Sequence, residues 1–128
     1  MMRLKHLCIR LLVSSKLASI SALTATLAFA TAASADRMRV SWYGPGFDGG
    51  YTASGEIFSR YDRTGAHPEW PFGTLVLLTN PKTGDSVTVR INDRSGGALD
   101  ISEQAARDLG TYDRGIAPVD VEIVEWGQ

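Results

Sequence analysis

The chain has 128 residues, with 13 basic and 14 acidic side chains, 44% hydrophobic residues and a single cysteine. All fourteen acids but only nine of the bases follow Ala35, so that portion carries a net charge of −5, which excludes the basic face that nucleic acid or an anionic membrane surface requires. Cys8 lies ahead of Ala35, so the remainder has no thiol for a disulfide or a cysteine-ligated metal, and its stability must come from a packed core.

Residues 1–35 read as a signal peptide. Arg3, Lys5, Arg10 and Lys16 form a basic start, Leu17 to Ala30 is uncharged and apolar, and Ala33-Ser34-Ala35 offers the small residues a signal peptidase reads. The apolar run is shorter than the roughly 20 residues that span a bilayer, so no stable membrane anchor is expected. Cys8 precedes the run and cannot be the lipid-bearing cysteine of a lipoprotein. The expected product is an exported, monomeric domain over residues 36–128, periplasmic or extracellular, of a size that folds alone.

Within it, residues 38–43 alternate as a strand that Gly44-Pro45-Gly46 ends, and residues 47–63 form a polar, glycine-bearing excursion. Residues 74–79 and 86–92 flank Asn80, Pro81 and Gly84 and read as a hairpin. Residues 102–109 form the single clear helix: Ser102 caps it, Glu103 suits its positive first turn, and Gly110 provides a left-handed stop. Residues 119–125 alternate as a terminal strand with one buried face. One short helix among several strands predicts a mainly β fold, a small barrel.

The chemistry-bearing stretch is VRINDRSGGALDIS, residues 89–102, where a strand ends on Asp93 between Asn92 and Arg94 and two glycines follow. Read from the residues alone, Asp93 either serves as a proton donor or pairs with Arg90 or Arg94, and Asp100, just ahead of the Ser102 cap, reads as a structural acid that bonds loop backbone. His67 has no second histidine after Ala35, so a histidine-based metal site is not expected.

The segments VSWYGPGFDGGYTASGEIF, AHPEWPFGTLVLLTN, VRINDR, LDISEQAARDLG and GIAPVDVEIV occur in the order in which similar segments occur in the rare lipoprotein A family of bacterial septal lytic transglycosylases, and the resemblance covers residues 40–124. It implies a six-stranded double-psi β-barrel, a fold shared with barwin and expansins. It also implies cleavage of the β-1,4 bond between N-acetylmuramic acid and N-acetylglucosamine in peptidoglycan glycan strands, leaving 1,6-anhydromuramic ends, with neither cofactor nor metal. By the same resemblance Asp93 is the acid/base, with Glu56 and His67 assisting. Trp42, Tyr43, Asn92, Arg94, Gly96 and Gly97 are candidate substrate contacts: the aromatic pair as a flat face for a sugar, the glycines as open space beside Asp93. The sequence departs from the family where Ser95-Gly96-Gly97-Ala98-Leu99 replaces a longer, proline-bearing segment, an economy closer to the expansin branch. The peptidoglycan-binding repeat domain of longer members, and septal targeting with it, is expected to be lacking. The alternatives are a non-catalytic expansin-like module that binds and loosens wall glycan, and a hydrolase that uses Asp93 with a second carboxylate.

Overall fold

The computed structural model describes residues 35–128, so the expected signal peptide lies, apart from Ala35, outside the described residues. Six strands and one helix follow in the order β1 (Asp36–Trp42), β2 (Thr64–Ala66), β3 (Leu75–Thr79), β4 (Ser86–Asp93), β5 (Leu99–Ile101), α1 (Glu103–Leu109) and β6 (Ala117–Glu125). The strands close into a barrel in the order β1-β5-β2-β4-β3-β6, as expected of a mainly β fold with one helix.

Alternation builds the core. Val87, Val89 and Ile91 point inward from β4, meeting Val76 and Leu78 of β3, Val119 and Val121 of β6, and Val40 of β1. The antiparallel β3–β4 hairpin forms over the anticipated turn, where Asn80 accepts from the Lys82 amide and donates through Nδ2 to the Leu109 carbonyl at 3.0 Å, tying the turn to the end of α1. The helix is capped as read: Ser102 Oγ accepts from Ala105 N, and Gly110 is left-handed at φ 76°. Ala105, Ala106 and Leu109 are buried against the barrel.

Two strands escape the sequence reading. β2 and β5 have three residues each, too few for a periodicity to register, yet they complete the barrel. β2 runs parallel to β4 and antiparallel to β5, while β5 runs parallel to β1. Gly65 permits this close approach: a Cβ there would lie 3.3 Å from Ile91 Cδ1 and 3.4 Å from the Asp100 carbonyl oxygen.

Candidate active site

The site follows from strand register. Ser41 of β1 pairs with Asp100 of β5, Asp100 pairs with Ala66 of β2, and Ala66 pairs with Asp93 of β4. Residues in register share a face, so these four form a row across the outside of the barrel. Asp93 joins that row only because β4 carries an extra residue. Gly65 pairs with Ile91 but Ala66 pairs with Asp93, leaving Asn92 as a bulge that turns Asp93 outward, out of phase with the core-facing Ile91. With strands about 4.8 Å apart, the backbones of Asp93 and Asp100 stand on the order of 10 Å apart, and the single methyl of Ala66 between them leaves a gap.

The excursion from Gly44 to Arg63 covers this face and shapes two cavities. One, of about 410 Å³, is lined by residues of the 46–52 loop together with Tyr43, Phe58 and Asp93. The other, of about 120 Å³, is lined by Tyr43, Phe47, Ala66, Asp93, Arg94 and Asp100. Asp93 and Tyr43 belong to both.

Asp93 is half-buried, and neither neighbouring arginine claims it. Its Oδ1 accepts from the amides of Ala53 at 2.9 Å and Arg94 at 2.8 Å, whereas no donor reaches Oδ2 among the described residues. Two main-chain donors on one oxygen make it the poorer base, so the proton of the neutral acid resides on Oδ2. Arg94 directs its guanidinium to the carbonyls of His67 and Trp70 and over the Phe72 ring at 3.9 Å. Arg90 forms a two-pronged pair with Glu56, at 2.6 and 2.9 Å. Asp100 accepts a short hydrogen bond from the Ser41 hydroxyl.

Glu56 is therefore fully engaged. Besides Arg90 it accepts from Asn92 Nδ2 at 3.1 Å, and these hydrogen bonds, Arg90's the stronger, hold its carboxyl below the usual carboxylate range against the desolvation that opposes them. The same loop donates Ala53 N to Asp93 and Ser54 N to the Asn92 carbonyl, so Glu56 fastens to β4 the segment that grips the acid. Asn92, expected to touch substrate, is 2% exposed beneath this loop. His67 donates its own amide to the Asp93 carbonyl at 3.2 Å. Its ring stacks on Trp70 at 3.7 Å, and Nδ1 accepts from the Glu69 and Trp70 amides, which leaves the neutral ring's proton on Nε2. Burial depresses the imidazole pKa; Glu69 opposes this and Arg94 adds to it. Neither Glu56 nor His67 is among the residues lining the two cavities at Asp93.

Tyr43 does not present a flat face to solvent. Phe47 meets its ring edge-on at 5.7 Å and Phe58 packs against it at 4.6 Å, while its hydroxyl is buried near that of Thr64, neither forming a well-aligned hydrogen bond among the described residues. Burial first, then the Asp93 charge, raise its pKa well above that of a free phenol; the Thr64 hydroxyl pulls the other way, and Asp100 adds a still weaker push upward. Trp42 stacks on Tyr112 at 4.6 Å and donates Nε1 to the Tyr112 carbonyl, a packing role outside both cavities. Gly96 and Gly97 are exposed, and a Cβ on either would meet open space. Among the described residues no three His, Cys, Asp or Glu side chains cluster as a metal ion would require.

Comparison with known proteins decides the lineage. The family described as "Lytic transglycolase" matches residues 35–121. The chain belongs to the lytic transglycolase family. Similar relatives of this family member include the probable endolytic peptidoglycan transglycosylase RlpA of Synechocystis, 48% identical over 89 residues, which are 66% of this chain and 28% of that protein. The endolytic peptidoglycan transglycosylase RlpA of Campylobacter jejuni is 38% identical over 91 residues, covering 68% and 33%. The chain thus spans about a third or less of the length of the curated relatives it matches. Among solved structures, the Streptomyces papain inhibitor superposes with a TM-score of 0.57 at 21% identity, over 70% of this chain and 96% of that one. Clavibacter michiganensis expansin gives 0.57 at 26% identity, over 72% and 51%. The closed six-stranded barrel of this family member is accordingly a double-psi β-barrel.

In this family member Asp93 ends β4, as the sequence reading had it, whereas Asp100, read as a loop acid that bonds backbone, lies within β5 and bonds the Ser41 hydroxyl. Its place within a strand emerges from the structure, where Leu99 and Ile101 are buried and Asp100 between them is half-exposed. Ser41 and Ala66 carry no mark in the sequence, because only pairing across strands brings them to the row.

Proposed function

We propose that this chain is an exported lytic transglycosylase acting on the glycan strands of peptidoglycan, with Asp93 as its acid and base. The observation that carries the reading is the state of that carboxyl group. Among the described residues no cation pairs with it; it is steadied through Oδ1 by two main-chain amides and faces two adjoining cavities. The relatives named as peptidoglycan transglycosylases supply the substrate class. Export rests on the leader-like residues 1–35.

In this reading the neutral acid gives its Oδ2 proton to the glycosidic oxygen as the bond from that oxygen to C1 breaks. The C6 hydroxyl oxygen of the same muramic residue then bonds to C1, and its proton passes to the Asp93 carboxylate, restoring the acid. No water is consumed, and one carboxylate serves both steps. Glu56 acts as the strut that keeps Ala53 against Asp93, and His67 steadies the strand end through its backbone. Arg94 and the rim of the 46–52 loop border the bound glycan.

Asp100 favours one competing outcome. A second carboxylate facing the same cavity, on the order of 10 Å away across two strand spacings, is near the separation of roughly 6.5–9.5 Å used by inverting hydrolases. Digestion of purified peptidoglycan, intact and stripped of stem peptides, followed by mass analysis, separates these readings. Anhydro-ended fragments are expected. Reducing ends would assign hydrolysis to the Asp93–Asp100 pair, and binding without fragments would leave an expansin-like module.

A further inference from the structure

We propose that Tyr51 is a substrate-binding residue: its ring is the platform on which an N-acetylglucosamine unit of the glycan lies, in the larger cavity beside Asp93. The inference rests on the peptidoglycan reading above and adds which sugar that cavity takes and what holds it.

Tyr51 is the aromatic side chain that the fold leaves uncovered beside the acid. Tyr43 packs with Phe47 and Phe58, Trp42 with Tyr112 and Trp70 with His67, while Tyr61 and Phe72 each lie under a guanidinium. Among the described residues only Tyr51 and Trp126 have neither a ring nor a guanidinium stacked on them, and of the two only Tyr51 lines a cavity that reaches Asp93. Its side chain is 83% exposed. Covering such a ring releases the water ordered on it, which favours a ligand with an apolar face.

The backbone beneath the ring is fixed. Tyr51 faces Ile57 in an antiparallel bridge, flanked by Thr52 N donating to the Glu56 carbonyl at 2.7 Å and Phe58 N donating to the Gly50 carbonyl at 2.8 Å. The neighbouring Thr52 is buried, so the pleat sends Tyr51 the other way, to the surface. A ring carried on a pinned stem binds without first ordering its loop.

Size, shape and charge select the occupant. At about 410 Å³ the cavity falls within the roughly 300–1,000 Å³ of small-ligand sites, whereas the neighbouring one of about 120 Å³ falls below it, so a whole pyranose ring belongs in the former. A β-1,4-linked pyranose carries its polar groups around the edge and C–H bonds on its faces, and those C–H bonds match the negative face of an aromatic ring. The edge meets Asp48, whose Oδ1 accepts the Arg60 amide at 2.7 Å, leaving Oδ2 for a sugar hydroxyl or amide N–H. Asp48 and Asp93 are the charged residues that line this cavity among the described residues, whereas Arg94 lines only the smaller one. Two acids without a cation repel the lactyl carboxylate of a muramic residue and accept neutral N-acetylglucosamine.

Binding is measured in an Asp93→Asn background, which does not consume the ligand, by calorimetric titration with a peptide-free tetrasaccharide of alternating N-acetylglucosamine and N-acetylmuramic acid. Adding Tyr51→Ala should weaken binding about tenfold, and Tyr51→Phe, which keeps the ring, should restore it to within about twofold. Melting temperatures should agree within a few degrees, since the side chain is exposed. With Asp93 intact, Tyr51→Ala should raise KM about tenfold and leave kcat within about twofold, the mark of a contact made equally to substrate and transition state. In the bound complex, proton–proton Overhauser contacts should link the Tyr51 ring to the C–H protons of N-acetylglucosamine and not to the lactyl methyl. Binding unchanged in Tyr51→Ala, Tyr51→Phe as weak as Tyr51→Ala, contacts to the lactyl methyl, or no binding by the Asp93→Asn parent each overturns the inference. If the wild-type protein yields no anhydro ends, the transglycosylase reading fails, while the titrations and proton contacts still decide the place of Tyr51.

Discussion

Replacement of Glu56 separates a strut from a proton donor. Glu56→Ala removes a two-pronged pair with Arg90 in which both side chains are about half exposed, so solvent screening limits that loss to about 0.5–1 kcal/mol. It also strips the partner from Asn92 Nδ2, which lies beneath the loop; a buried amide left unpaired costs about 1–3 kcal/mol. Together these give about 2 kcal/mol, equivalent to a melting temperature lower by about 8–16 °C for a domain of this size. Glu56→Gln keeps an oxygen to accept from Asn92 and gives up only the charge, so about 0.5–1 kcal/mol is expected. If Glu56 works by anchoring the Ala53 amide against Asp93, the Gln variant should retain activity within about tenfold of wild type while the Ala variant loses most of it. Thermal unfolding followed by circular dichroism, paired with quantified anhydromuropeptide release, reads both effects. A Glu56→Gln protein as stable as wild type but without activity would refute the strut and place Glu56 in the proton-transfer chemistry.

Asp93→Asn should abolish release of anhydro ends, because the amide still accepts from Ala53 and Arg94 but has no proton to give, and its melting temperature should stay within a few degrees of wild type; a large drop would assign Asp93 to the scaffold. His67, whose imidazole pKa is depressed in the folded state, should make stability pH-dependent. The unfolded chain takes up that proton first, so stability present above the ordinary value of 6.5 should fall as the pH drops below it, through the folded pKa. His67→Gln should flatten that slope in melting temperature against pH, and an identical slope in both proteins would contradict the assignment. Gly65→Val should destabilise the barrel by about 1–3 kcal/mol, since its first added carbon already meets Ile91 and the Asp100 backbone at 3.3–3.4 Å. Denaturant titration checks this, and a neutral result would mean that β2 can shift away from β5.

Local chemistry made the helix and the hairpin readable, since Ser102, Gly110, Asn80 and Gly84 act within a few residues of themselves. The terminal strand was readable from its alternation, although it begins at Ala117 rather than at residue 119. β2 and β5 were not, because three residues cannot display a period and their identity comes from distant partners, as for Ile101 facing Gly65 across 36 positions and Leu99 facing Val40 across 59. The same limit governs the site. Asp93 stands out in its motif, but its outward direction depends on the bulge at Asn92, which appears only when β4 is laid against β2. Simple alternation from Ile91 would have turned it into the core. The pairing of Glu56 with Arg90 and the enclosure of Tyr43 by two phenylalanines are likewise set by the fold of the excursion, not by neighbours in sequence.

The grip on Asp93 comes from peptide groups at positions 53 and 94, and no side chain is required to supply it. Most amino-acid replacements along the loop can therefore accumulate, and recontour the bordering hollow, without loosening Asp93. The exceptions are Glu56, whose side chain fastens the loop to β4, and proline at position 53, which has no N–H to offer. If Asp93 carries the proton as proposed, fidelity and substrate choice fall under separate hereditary control within a span of a few residues.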